Sequence, residues 1–162
     1  MIKINKKVEY ALMALKYMAT ASIGNPTERG EVHLVSAREI CDHFKTPFDT
    51  TAKVLQIMNN NGLLNSTKGI KGGYSLARPL SKITFIELTS MIEGRSGSPS
   101  FCESSKGVCD LYHKCNIVTP MELLNRKIHS FLTALTLEEL LLKDSSSSQF
   151  LSGSILESVE NL

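Results

Sequence analysis

Three of the four cysteines in this 162-residue chain lie within FCESSKGVCDLYHKC, residues 101–115. Cys102, Cys109 and Cys115 are spaced C-x6-C-x5-C, in a stretch of Gly, Ser, Lys, Asp and Glu too polar to bury them in a core. Thiolates are nucleophiles and soft metal ligands, so three chemistries compete: an iron–sulfur cluster, zinc, or a reversible disulfide. Structural zinc takes four ligands, commonly from paired C-x2-4-C knuckles, and the gaps here are wider. Iron–sulfur clusters are held by thiolates at more varied spacings, with another residue sometimes replacing one of them. Three thiolates leave one ligand to find. His113 stands in the same loop and Glu9 stands far away in sequence; composition does not choose between them. Cys41 falls on the apolar stripe of a helical pattern and reads as core.

No catalytic constellation accompanies the thiols. The chain has no phosphate loop, no HExxH and no nucleophile elbow, and its histidines are scattered at 33, 43, 113 and 129. An enzyme is not expected. No window approaches a membrane span, and MIKINKKVEY lacks the apolar core of a signal peptide. The expected location is the cytoplasm, with no membrane partner. There, disulfides are uncommon and clustered cysteines more often bind metal or sense redox state. The net charge of +2 is unevenly spread: residues 1–80 hold eleven Lys and Arg against six Asp and Glu, a net of +5, and the remainder is acidic. A basic N-terminal half suits a polyanion.

The elements that must position these groups follow from local pattern. In KKVEYALMALKYMATA (6–21), Val8, Ala11, Leu12, Leu15, Met18 and Ala19 recur at helical spacing. EVHLV (31–35) is a short strand candidate. Ser36, Thr84, Thr119 and Thr136 are each followed three residues later by Glu, the capping-box pattern that opens a helix. Thr46-Pro47 is a fifth start, with proline expected at the first helical position. That run continues to about Asn61 and stops at Gly62. Leu63–Thr67 and Tyr74–Ala77 fit two strands joined by the basic turn KGIKGG, whose glycines can take positive φ.

Helix, short helix, turn, helix and hairpin is the order of a winged helix-turn-helix. The expected fold is mainly α with a small β-hairpin wing, followed by a long C-terminal dimerisation helix. SAREICDHF is the first helix of the motif, buried through Ala37, Ile40, Cys41 and Phe44. The recognition helix would present Asp49, Thr50, Thr51 and Lys53 to the major groove. Lys68 and Lys71 flank wing glycines whose bare backbone can approach phosphates. From Thr119, the residues Met121, Leu124, Ile128, Phe131 and Leu135 form a narrow heptad seam suited to pairing across a homodimer on a palindromic operator. The expected organisation is a DNA-binding domain over 1–80, then 81–142 with the cysteine loop (101–115) and the dimerisation helix (119–135). The Ser-rich tail from 143 to 162 is expected to be mostly disordered.

These pieces together resemble the Rrf2 family of transcription factors. EYALMALKYMA (9–19) looks like its first helix, NGLLNSTKGIKGGYSLARP (61–79) like its wing signature, and FLTALTLEELL (131–141) like the end of its dimerisation helix, with three cysteines at near-family spacing. The resemblance spans about Ile4 to Leu142. It implies a dimer binding double-stranded DNA through Pro47, Asp49, Thr50 and Lys53 and, in the wing, Lys68, Gly69 and Ile70. Lys68 stands where the IscR-type branch has arginine, and Ala52 where that branch has glutamate, so the operator need not be the same. The resemblance also implies that Cys102, Cys109 and Cys115 bind iron. The IscR-type fourth ligand, a histidine three residues after the last cysteine, is replaced by Val118. In the NsrR-type branch, that ligand is an aspartate of the other subunit just before the first-helix tyrosine; Glu9 occupies this place, with His113 as second candidate. The resemblance to the NsrR-type carboxylate slightly favours a four-iron over a two-iron cluster. The implied function is a regulator sensing nitric oxide, redox or iron–sulfur status. The alternatives are a cluster-free regulator using cysteine oxidation or zinc and, more distantly, a small iron–sulfur electron carrier without DNA binding.

Overall fold

The computed structural model describes residues 4–24, 33–69, 72–94 and 109–143. Its helices are α1 (Lys6–Gly24), α2 (Ala37–Phe44), α3 (Phe48–Asn60), α4 (Phe85–Glu93), α5 (Val118–Ala134) and α6 (Leu137–Leu141). Strands β1 (Leu64–Thr67) and β2 (Gly73–Leu76) lie between α3 and α4. This is the winged helix-turn-helix order. The apolar stripe of α1 is its buried face: Val8, Ala11, Leu15, Met18 and Ala19 meet Val54, Leu55 and Met58 of α3 and Leu88 and Ile92 of α4. Leu12 is partly buried against the same core.

Local chemistry sets most helix starts. Ser36 accepts from the Glu39 N–H at 3.1 Å while the Glu39 carboxylate accepts from the Ser36 N–H at 3.4 Å, a complete capping box. Thr84 accepts from the Glu87 N–H at 3.3 Å, and Thr136 from the Glu139 N–H at 3.2 Å. Thr119 does not cap. Helix α5 begins one residue earlier, at Val118 with Ile117 as its cap, and the Met121 N–H already donates to the Ile117 carbonyl at 2.9 Å. Pro120 does not block this start, because the first turn leaves its N–H groups unpaired anyway. Pro47 is the cap of α3 and not its first helical residue, since the Thr51 N–H donates to the Pro47 carbonyl at 3.0 Å.

The hairpin is antiparallel, pairing Leu64 with Leu76 and Thr67 with Gly73. Within the candidate strand 31–35, Val35 forms a single bridge, exchanging hydrogen bonds with Tyr74 at 2.9 and 2.8 Å; residues 31 and 32 lie outside the described residues. That bridge explains one wing glycine. A Cβ on Gly73 would lie 2.9 Å from the Val35 carbonyl oxygen. Of the wing glycines 69, 72 and 73, Gly69 is the one with positive φ, at 116°.

The chain closes back on this unit after α5. The Phe85 N–H donates to the Leu135 carbonyl at 2.9 Å, and the Leu137 N–H to the Ile83 carbonyl at 2.8 Å. Leu137 is fully buried in the shared core.

Candidate nucleic-acid interface and cysteine loop

The helix-turn-helix is α2, a turn through Lys45 and Pro47, and α3. Lys45 takes the left-handed conformation (φ 55°) that ends α2. Glu39 braces the motif against α1: besides its capping role, it accepts a hydrogen bond from the Tyr17 hydroxyl at 3.0 Å. This pushes the Tyr17 pKa up from its ordinary 10.0, because a carboxylate holds the phenol proton. The rings of Tyr17, His43 and Phe44 cluster at the same joint, with centroids 4.6 to 5.8 Å apart.

At the front of α3, Pro47, Asp49 and Lys53 are exposed and Thr50 is half-buried. Thr51 is a correction. It is 1% exposed, and its hydroxyl donates inward to the Thr46 hydroxyl at 2.9 Å. It fixes the turn and cannot reach a groove. The sequence carried the signal: Thr51, Val54, Leu55 and Met58 lie on one helical stripe, and all are buried. Also exposed on α3 are Gln56, on the side of Asp49 and Lys53, and Phe48, at the leading end of the buried stripe. In the wing, Lys68 and Gly69 are exposed, and the Gly72 N–H donates to the Gly69 carbonyl at 2.9 Å. Ile70 and Lys71 lie outside the described residues.

Helix α5 has seventeen residues and buries none of them. Of the heptad seam, Leu124 and Phe131 are exposed, Met121, Ile128 and Leu135 half-buried. Leu132 and Leu135 rest on the molecule's own core, so the helix touches it along one side and leaves the other bare.

The cysteine loop enters this helix. Cys109 is exposed and Cys115 half-buried, both as free thiols. The Tyr112 N–H donates to the Cys109 carbonyl at 3.1 Å, folding a single helical turn between them. Cys102 and the side chain of His113 lie outside the described residues. Glu9 projects from the first turn of α1 and pairs with Lys6 at 2.6 Å, which holds the Lys6 pKa above its usual value. Among the described residues, no three His, Cys, Asp or Glu side chains converge as a metal-holding group. The donor types suit iron, two thiolates and a hard carboxylate, but among the described residues they do not converge. Among the described residues, no helix is long and apolar enough to cross a membrane.

Comparison with known proteins agrees with this geometry. A family model, Rrf2, described as an iron-dependent transcriptional regulator, matches residues 4–143. A candidate HTH-type transcriptional regulator of Aquifex aeolicus is 29% identical over 136 residues, 83% of this chain and 88% of that protein. The HTH-type transcriptional regulator IscR of Xenorhabdus nematophila is 26% identical over 139 residues, 86% of this chain and 79% of that protein. Among solved structures, CymR, the global cysteine regulator of B. subtilis, superposes with a TM-score of 0.57 at 20% identity, covering 87% of this chain and 97% of that one. IscR of T. potens superposes with a TM-score of 0.59 at 22% identity, covering 94% of each chain.

Proposed function

Because the chain belongs to the Rrf2 family of transcriptional regulators, which are DNA-binding proteins and not enzymes, we propose that it works as a homodimer on a palindromic operator. In this reading, Cys102, Cys109 and Cys115 hold an iron–sulfur cluster, with Glu9 of the second subunit as fourth ligand and His113 as the alternative. The observation that carries the reading is α5. It buries no residue, and Leu124 and Phe131 face outward directly after the cysteine loop. A helix bare on that side needs a partner, and a second copy offers the same self-complementary seam. A loop entering that helix then lies near the second subunit, where a ligand missing from its own chain can be supplied.

The DNA contacts in this proposal are Pro47, Asp49, Thr50 and Lys53 of α3 and Lys68, Gly69, Ile70 and Lys71 of the wing. When bound, the cluster supplies a reversible, redox-sensitive tie. The chain's own part is mechanical. With the cluster held by Cys102, Cys109 and Cys115 and the partner's Glu9, that Glu9 would leave its own Lys6 and the separation of the two α3 helices would be fixed. DNA affinity shifts by the difference in DNA binding between tied and untied states, about 5- to 150-fold for an ordinary coupling. Nitric oxide, oxidants or scarce iron–sulfur supply would act by loosening that tie, in the cytoplasm beside the DNA.

The test is anaerobic isolation with absorbance, iron and sulfide assays. A coloured protein that bleaches in Cys102→Ala and Cys109→Ala, and weakens in Glu9→Ala, supports the reading. A colourless, iron-free protein after reconstitution overturns the cluster. Native mass spectrometry then separates zinc from cysteine oxidation, a reading favoured by the exposed free thiol of Cys109. For DNA, Lys68→Ala is expected to reduce the salt slope of binding by about one.

A further inference from the structure

Phe48 is the first residue of α3 and is 51% exposed. Among the described residues before Gly94, the other exposed large apolar side chains are Ile4 and Met13, at 40% and 37%, both on or beside α1. Phe48 continues the stripe of Thr51 and Leu55, which the sequence would read as core, but it stands one turn beyond the point where the core ends. Its position is not loose. Pro47 ahead of it is held at φ −63° as the helix cap, and the Thr51 N–H and hydroxyl tie the first turn to Pro47 and Thr46. A half-exposed aromatic ring thus stands on a fixed stretch of backbone at the leading end of the recognition helix, flanked by exposed Pro47 and Asp49.

The major groove displays donors and acceptors on every base pair but a single apolar group, the thymine 5-methyl. A phenyl ring has nothing to offer a donor or acceptor edge, and it desolvates them at a cost. Against a methyl it gains contact on both sides. We propose that Phe48 reads the 5-methyl of a thymine, so that each operator half-site carries an obligatory thymine opposite the front of α3. This deepens the DNA-binding reading of α3 above and rests on it. The neighbouring polar side chains Thr50 and Lys53 then read the adjoining edges, with Phe48 setting register by excluding water.

The experiment uses the full chain, isolated anaerobically and also stripped of metal, to select duplexes from a pool with a randomised centre. In the duplex selected by the tighter-binding preparation, each thymine is replaced in turn by deoxyuridine, which removes only the methyl. At one thymine per half-site, the wild-type protein is expected to bind about fourfold more weakly, the worth of one buried methyl. Phe48→Ala should be insensitive at that position alone, and Phe48→Leu should keep part of the sensitivity. Thermal melts check that both variants fold. No sensitive thymine, or undiminished sensitivity in Phe48→Ala, overturns the inference. If Thr50→Ala and Lys53→Ala also leave affinity unchanged, the α3 reading has failed, and the Phe48 inference falls with it.

Discussion

Residues 4–94 and residues 109–143 both carry periodic apolar residues, and they use them differently. In the first region, the stripes of α1, α3 and α4 face one another, and Leu15, Leu55, Met58 and Leu88 are fully buried. In the second, α5 buries nothing, and Ile117, Leu123, Leu124 and Phe131 are exposed. The exception is Leu137, one residue beyond the cap of α6, which returns to the first core. So the first region is one packed unit completed by Leu137, and the second is a lever that touches it through Leu132 and Leu135 and leaves Leu124 and Phe131 bare. The hydrogen bonds from Phe85 to Leu135 and from Leu137 to Ile83 make that attachment a short stretch of strand-like pairing.

The sharpest way to break this contrast is at its exception. Leu137→Ala should cost about 2–5 kcal/mol in chemical denaturation, as deletions of fully buried leucines do. Leu124→Ala, of the same chemistry on the bare face, should change the stability of the monomeric unit by no more than about 0.5 kcal/mol. Equal costs at the two sites would erase the distinction between unit and lever.

Phe131→Glu addresses the lever itself. A charge placed in a seam that pairs across two subunits is expected to weaken dimerisation by roughly a hundredfold, a little under 3 kcal/mol. Light scattering across a dilution series would read this. The melting of the unit should stay within the range of an ordinary surface change. An unaltered oligomeric state would mean that the bare face of α5 is not the dimer seam.

Where a feature was legible in sequence depended on how local its cause is. The caps at Ser36 and Thr136 are set by residues three apart: the full box forms at Ser36, and at Thr136 the hydroxyl takes the Glu139 N–H. Thr119 has the same spacing, but Ile117 already accepts the first-turn hydrogen bond. The Thr51 hydroxyl suits a groove by its type, but its spacing to Val54 and Leu55 puts it on the buried face. The heptad seam of α5 was legible as a pattern. Whether such a stripe meets its own core or a second chain depends on tertiary geometry, and only the fold leaves Leu124 and Phe131 bare. Of the wing glycines, Gly69 follows from turn chemistry, whereas Gly73 depends on Val35, a residue distant in sequence.

That long-range dependence gives a third, smaller effect. Gly73→Ala forces a methyl against the Val35 backbone and should cost about 1–3 kcal/mol, the usual penalty of overpacking. Hydrogen exchange should show the Val35 and Tyr74 amides opening first. If those amides stay protected, the hairpin absorbs the methyl elsewhere, and the Val35 bridge is not what holds the wing to the unit.

The smallest effect tests the polar side of the same unit. Tyr17 donates to Glu39, joining α1 to α2 in a way the described part of α5 has no counterpart for in reaching the helix-turn-helix. Tyr17→Phe should cost roughly 0.5–1 kcal/mol near neutral pH, a modest figure because the contact is only part-buried. The sign of its pH dependence follows from the proton. Folding holds the Tyr17 pKa above 10.0, so the folded state keeps a proton that the unfolded chain gives up first. The contribution is therefore fully present below pH 10.0 and is lost as pH rises through the higher folded value. Denaturation of wild type and Tyr17→Phe between pH 7 and pH 11 should give a constant gap at the lower end that closes at the upper. A gap that widens with pH would mean that the phenol is not the donor, and the brace between α1 and the helix-turn-helix would then rest on the ring cluster of Tyr17, His43 and Phe44 alone.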